Sequence, residues 1–217
     1  MFAMHGMMAG AESGEEGKLL VPKALLSSSS NNSSYMFQSV DLGNAAADRS
    51  IFVVCCGSVG SNNTPNTCTV AGNSATRRVV RSGLASVAIF NLNLTTGSSG
   101  NVVIGFSRSM ARCGGYVFAA YGLDSLVPID SGTDTGGSAS IELLGLDATG
   151  FVLGITHGIS SPYENVSQSF TGQTDVQSGN IDGADTVISY SGPGIGSSIT
   201  MTGSGGAYTR YAFAAFS

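Results

Sequence analysis

The sequence contains no tryptophan, two histidines and five prolines, and charged side chains make up 11% of its 217 residues, against roughly 25% in an average soluble domain. Each shortage excludes something. Without tryptophan, the aromatic platforms that seat sugar rings must come from other residues. Only His157 of the two histidines lies beyond the N-terminal segment, so a zinc site or a Ser-His-Asp triad has little raw material. The four cysteines, Cys55, Cys56, Cys68 and Cys113, lack the C-x-x-C spacing of metal and redox sites. Adjacent Cys55 and Cys56 point to opposite faces of any strand that holds them. Buried thiols are therefore expected, and a pairing such as Cys56 with Cys68 stays open.

No apolar run reaches the roughly 18 residues of a membrane-spanning helix, and no Lys or Arg precedes the apolar start MFAMHGMMAG. Neither a membrane partner nor a secretory signal is expected, and synthesis in the cytoplasm follows. A net charge of −5 disfavours nucleic acid as a partner. Residues 1–112 hold eight of the nine Lys and Arg against five acidic residues, whereas residues 113–217 hold only Arg210 against nine. Such a chain attracts its neighbour head to tail if the two halves are separate in space, and loses that polarity if they intermix.

What is present is Gly, Ser, Thr and Asn, with 42% hydrophobic residues and 31 glycines. A surface built from uncharged polar groups loses little hydration when another protein covers it, which favours a subunit over a free monomer. Residues 1–34 read as an N-terminal arm and linker: four methionines in the first eight positions, then LLVPKALL, then SSSSNNSS. Methionine adapts to irregular grooves. Met4, Met7, Met8, Leu19, Leu20, Leu25 and Leu26 are accordingly the residues expected to dock on a neighbouring subunit, the alternative being a plain tail.

From residue 35 to 217 the text changes to short β-rich segments, separated by turn residues about every ten positions, the pattern of sandwiches and barrels. The expectation is an all-β fold, one antiparallel, jelly-roll-like β-sandwich. The run Ile51 to Cys56 is apolar on both faces, so that strand should be central and covered on each side. In SVAIFNLNL, Val87, Ile89 and Asn91 share one face while Ala88, Phe90, Leu92 and Leu94 share the other. The closing YTRYAFAAFS sets Tyr211, Phe213 and Ala215 against Arg210, Ala212, Ala214 and Phe216. The prolines are placed outside the strands, and TTGSSGN and LDATGF are read as hairpin turns.

Chemistry finds no foothold. No G-x-S-x-G elbow is present, and His157, following FVLGIT, reads as a strand-end residue. A glycosidase needs two opposed carboxylates; Glu142 alternates with Ser140 and Leu144 on a solvent face. SGPGIGSS at 191–198 lacks the Lys of a phosphate loop. DSGTDTGG at 130–137 alternates carboxylates and hydroxyls, yet has Ile141 where a calcium loop needs Glu, and reads as a solvated hairpin loop. No catalytic residue, cofactor or metal ligand is assigned. Arg77, Arg78 and Arg81, with Arg108 and Arg112, form a basic group without interleaved aromatics, suited to contact with an acidic protein surface or to plain solvation.

Three passages carry a resemblance: FQSVDLGNAAADRSIFVVCCG at 37–57, VAIFNLNLTTGSSGNVVIGFS at 87–107 and MARCGGYVFAAYGLDSLVPID at 110–130. Together they resemble the β-sandwich virion structural proteins of tailed bacteriophages. The resemblance implies a non-enzymatic virion component, a capsid decoration or tail accessory subunit, with copies of itself and other virion proteins as partners. The alternative is a receptor- or carbohydrate-binding module of a tail fibre, with Tyr163 the clearest loop aromatic and a surface glycan as ligand.

Overall fold

A computed structural model describes residues 18–146, 148–159, 166–181, 184–192 and 196–217. Among these every regular element is a strand. The first nine are β1 (Leu19–Ser28), β2 (Asn32–Asp41), β3 (Ser50–Asn63), β4 (Pro65–Val70), β5 (Asn73–Ser74), β6 (Thr76–Arg81), β7 (Gly83–Asn93), β8 (Ser99–Met110) and β9 (Arg112–Tyr121). The other eight are β10 (Asp130–Thr135), β11 (Ser138–Leu144), β12 (Phe151–Gly158), β13 (Ser167–Ser169), β14 (Gln173–Ile181), β15 (Ala184–Ser191), β16 (Ser198–Ser204) and β17 (Arg210–Phe216). All pairings are antiparallel.

The strands form four sheets stacked as four layers. An outer sheet, β2-β8-β4-β5, covers an inner sheet, β1-β9-β3-β7-β6. A second inner sheet, β10-β17-β12-β15-β14, packs on the first and is covered by an outer sheet, β11-β16-β13. Three cores fill the spaces between layers, and strand alternation decides which side chain enters which core. Ile51, Val53 and Cys55 enter the first core with Val102 and Ile104. Phe52, Val54 and Cys56 enter the middle core with Phe151, Leu153 and Phe216. Tyr211, Phe213 and Ala215 enter the third with Leu143, Ile199 and Met201.

The second half repeats the wiring of the first. Substituting β10, β17, β12, β15 and β14 for β1, β9, β3, β7 and β6 reproduces the inner sheet, and β11-β16-β13 reproduces β2-β8-β4. Contacts between the inner sheets follow the same exchange, with β1 against β14 and β6 against β10. One chain thus holds two sandwiches welded face to face. The weld is aromatic: Phe52 lies 4.8 Å from Phe216 and 5.5 Å from Phe151, and Phe118 lies 5.9 Å from Tyr190, measured between ring centroids. Each such pair adds about 1 kcal/mol beyond the area it buries.

Several expectations are corrected. Sandwich structure begins at residue 19, not 35, and there are two stacked sandwiches where one was expected. β1 is an edge strand paired with β9, because its Leu20 and Leu26 are buried in the chain's own cores. Pro22 lies inside β1, where the register shifts between Pro22 and Ala24, and Pro65 opens β4. An edge and a first position are the places where a missing N–H costs a sheet least. TTGSSGN and LDATGF are not hairpin turns: β7 does not pair with β8, nor β11 with β12, and each connection arches from one sheet to the facing one. Asp130 to Thr135 is strand β10, not a loop.

A buried cation pins the arches at one end of the first sandwich. Arg49 is inaccessible to solvent and carries no carboxylate partner among the described ion pairs. Its Nε donates to the Leu94 carbonyl at 2.7 Å, Nη1 to Gly43 at 2.7 Å and Leu42 at 3.3 Å, and Nη2 to Thr96 at 2.8 Å. Four carbonyls replace the water that the guanidinium gives up.

Candidate functional site

Two regions of the described structure combine exposure or chemistry with a defined position: the outer surfaces, and the polar end of the seam between the two sandwiches.

On the surfaces, the residues expected to dock separate into three groups. Met4, Met7 and Met8 lie outside the described residues, as does Tyr163. Leu20 and Leu26 are 7% and 1% exposed and serve the chain's own cores. Leu19 and Leu25, at 53% and 51%, project from the same strand into solvent. Leu19 and Val21 also line a cleft of about 500 Å³ with Lys23, Asp48 and Tyr121, and Lys18, next to Leu19 in sequence, pairs with Asp124 at 2.8 Å.

The arginine group does not act as one patch. β6 and β9 sit at positions separated by β3 and β7, so the arginines of β6 are not neighbours of Arg112. Arg77 Nη1 donates to the Pro65 carbonyl at 2.8 Å and Arg78 Nε to Asn91 Oδ1 at 2.8 Å. Both are engaged within the chain. Arg81 faces another cation, Arg210, whose pKa is lowered by burial and then by this repulsion.

Sequence reasoning missed a second exposed apolar group. Val127, Ile129 and Leu144 are exposed on the second sandwich. Ile129 lies against Gly145, and the Leu144 N–H donates to Asp130 at 2.8 Å, which holds Ile129 and Leu144 together. Met36 is exposed on β2 of the first sandwich. Single apolar residues in short turn-flanked segments carry no periodic signal, so nothing in the sequence marks these.

The charge halves do separate in space. The boundary between basic and acidic halves of the sequence, near residue 113, falls close to the boundary between the sandwiches. Among the described residues, strands β1 to β9 and their flanking segments carry Lys18, Lys23 and six arginines against Asp41 and Asp48, whereas the chain beyond residue 121 carries Arg210 against Asp124, Asp130, Asp134, Glu142, Asp175 and Asp185.

At the seam, Cys56, Ser58, His157, Thr186 and Arg210 belong to the faces that the inner sheets turn toward each other. His157 Nδ1 lies 2.8 Å from Thr186 Oγ1, and Cys56 Sγ lies 4.0 Å from the same hydroxyl. His157 Nε2 and Ser58 Oγ are buried without a hydrogen-bond partner among the described residues. Burial, with help from the Arg112 charge, lowers the His157 pKa to about 3, so the imidazole is neutral at neutral pH. Among the described residues this neutral histidine beside threonine and a thiol has no carboxylate to orient it, the third member of a triad.

In the second sandwich Thr156 donates to Gln168 Oε1, Gln168 Nε2 donates to Ser189 Oγ at 2.6 Å, and Ser189 donates to Asp175 at 2.5 Å. These groups satisfy one another across a core and include no histidine. Glu142 is exposed on β11, and the Asp130 and Asp134 carboxylates accept the N–H groups of Ser131 and Thr135. Among the described residues no group of three His, Cys, Asp or Glu side chains is placed to hold a metal ion. All four cysteines are buried thiols, and none is in a disulfide. Cys56 belongs to the middle core and Cys68 to the first, on opposite sides of an inner sheet, so the pairing left open by the sequence is not formed.

No family model matches the chain, and no curated protein or solved structure matches it.

Proposed function

We propose that this protein is a structural subunit of a tailed-bacteriophage particle, a capsid decoration or tail accessory protein that associates with copies of itself and with other virion proteins. The observation that carries the reading is the separation of charge between two welded sandwiches. A rigid block with a basic end and an acidic end has complementary surfaces on one molecule, and such heterologous contacts build rings or lattices when repeated. The sparse overall charge supports the same conclusion, since covering such a surface costs little desolvation. The strand order, β1-β9-β3-β7 facing β2-β8-β4-β5, is compatible with a jelly-roll-like wiring of each sandwich, an architecture common in capsid proteins. The resemblance of residues 37–57, 87–107 and 110–130 to phage virion sandwich proteins supports it further.

Sedimentation velocity across ionic strength tests the reading. The expected result is association that grows with protein concentration at low salt and is reversed as screening shortens the reach of the charges. A protein that stays monomeric at every salt and protein concentration removes the support that charge separation gives.

A further inference from the structure

At the polar end of the seam a cleft of about 250 Å³ is lined by Asn62, Asn63, Thr64, Ser82, Gly83 and Arg210. It is shared between the sandwiches: Asn62 and Asn63 end β3, Gly83 opens β7, and Thr64 and Ser82 lie in the adjoining connections of the first, while Arg210 starts β17 in the second.

Arg210 is held from below. Its Nε donates to the Ser82 carbonyl at 3.2 Å, and its Nη1 donates to the Thr209 carbonyl at 2.9 Å and to Thr135 Oγ1. Among the described residues no acceptor bonds to Nη2. The guanidinium lies flat on Gly83, where a Cβ would stand 2.5 Å from both Nε and Nη2; only glycine leaves that space. The rest of the rim is fixed: Asn63 Nδ2 donates to the Gly83 carbonyl at 2.7 Å, and the Thr64 and Ser82 hydroxyls lie 2.7 Å apart.

Among the described residues nothing pairs with the charge of this site. Arg81 adds a second cation close enough to perturb Arg210, and neither arginine has an ion pair among the described residues. Asp134, the nearest acid along β10, alternates to the opposite face from Thr135, and its Oδ1 accepts the Thr135 N–H. Next to Arg210 in the β12/β17 ladder stands His157, buried, with Nε2 unpartnered. One guanidinium in a polar cleft, with no acceptor on Nη2 and no ion pair among the described residues, and with a second cation near enough to be felt, suits the charge of a planar or tetrahedral oxyanion.

We propose that this cleft binds a small oxyanion, a carboxylate, sulfate or phosphate group, through the Arg210 guanidinium with Arg81 as the second positive charge. The site is independent of the assembly reading. The anion arrives either free or carried on a small sugar, and the cleft has room for the anion and part of its carrier.

A ¹H–¹⁵N NMR titration of the full chain, with sulfate, phosphate and glucuronate in separate arms and glucose as the uncharged control, tests the site. The expected result is a saturable shift of the Arg210 Nε–H and Gly83 N–H signals with the anions and none with glucose. Tighter binding of glucuronate assigns a sugar-borne carboxylate; equal or tighter binding of sulfate or phosphate assigns the free ion. Arg81→Gln removes a side chain with no hydrogen bond among the described residues and should weaken binding by up to about fivefold, the factor for a unit charge about 4 Å away in water. Gly83→Ala, which displaces the guanidinium, should abolish saturation. Shifts that never saturate, or that are unchanged in both variants, overturn the proposal.

Discussion

His157 and Thr186 face each other across the β12/β15 ladder, the imidazole Nδ1 2.8 Å from the threonine hydroxyl. This contact holds a neutral ring in a buried place where its cation would lose hydration and would face Arg112.

The first prediction concerns acid. The unfolded chain binds a proton on His157 as pH falls below the ordinary 6.5, while the folded chain resists until about 3. Between those values the unfolded state holds more protons, so stability drops as pH falls. At about 1.4 kcal/mol per unit, roughly 3 kcal/mol should be lost by pH 4. Urea denaturation at pH 7 and pH 4 reads this, and His157→Gln should flatten the slope. Equal slopes in the two proteins would place the acid sensitivity elsewhere.

Thiol chemistry gives the second. Burial pushes Cys68 up to about 12 and raises Cys55 further from the thiolate range, first by desolvation and then through the neighbouring thiols. An aromatic disulfide reagent at pH 8 should find no reactive thiol in the native protein and all four after denaturation. Rapid native labelling of any one of them would contradict its burial.

The third concerns the weld. Phe52 of the first sandwich packs on Phe151 and Phe216 of the second, so the two should unfold as one unit. Calorimetry should give a single transition whose enthalpy agrees with the van't Hoff value. Phe52→Ala should cost about 3–5 kcal/mol. Two resolved transitions in the unsubstituted protein would show that the middle core does not couple the sandwiches.

Truncation separates the N-terminal segment from the fold. The strands and cores described are built from residues 19–216, so removing residues 1–17 leaves every one of them intact and serves as the reference. Removing residues 1–30 takes away β1 with Leu20 and Leu26, strips the edge of β9 and should cost about 4 kcal/mol or more. Thermal melts of both truncations decide whether β1 belongs to the sandwich.

The architecture is legible in the sequence at the level of strands and less so at the level of layers. Phe52, Val54 and Cys56 alternate with Ile51, Val53 and Cys55, and both sets are apolar, which marks β3 as covered on two sides. The same holds for Val87 and Ile89 against Phe90 and Leu92 in β7, and two such strands are the signature of a middle layer. A single sandwich supplies only one core, so this doubling required a third layer, and the closing strand, with Tyr211 and Phe213 opposite Ala212 and Phe216, required a fourth. β1 was obscured by Pro22, a residue that lowers strand expectation everywhere except at an edge. β10 was obscured by Asp130, Gly132 and Asp134, whose composition is that of a turn although their backbone groups pair with β17. The cleft at Arg210 has no local signal, because Gly83 and Arg210 are brought together only by the packing of one sandwich on the other.

The central claim is that this polarised double sandwich is a component of a phage particle. Quantitative mass spectrometry of particles purified from a host that produces this chain tests it most directly. The account predicts the intact chain at a fixed stoichiometry to the major capsid or tail protein, retained through density-gradient banding. Its absence from banded particles, with the full amount recovered as free protein, would contradict the account.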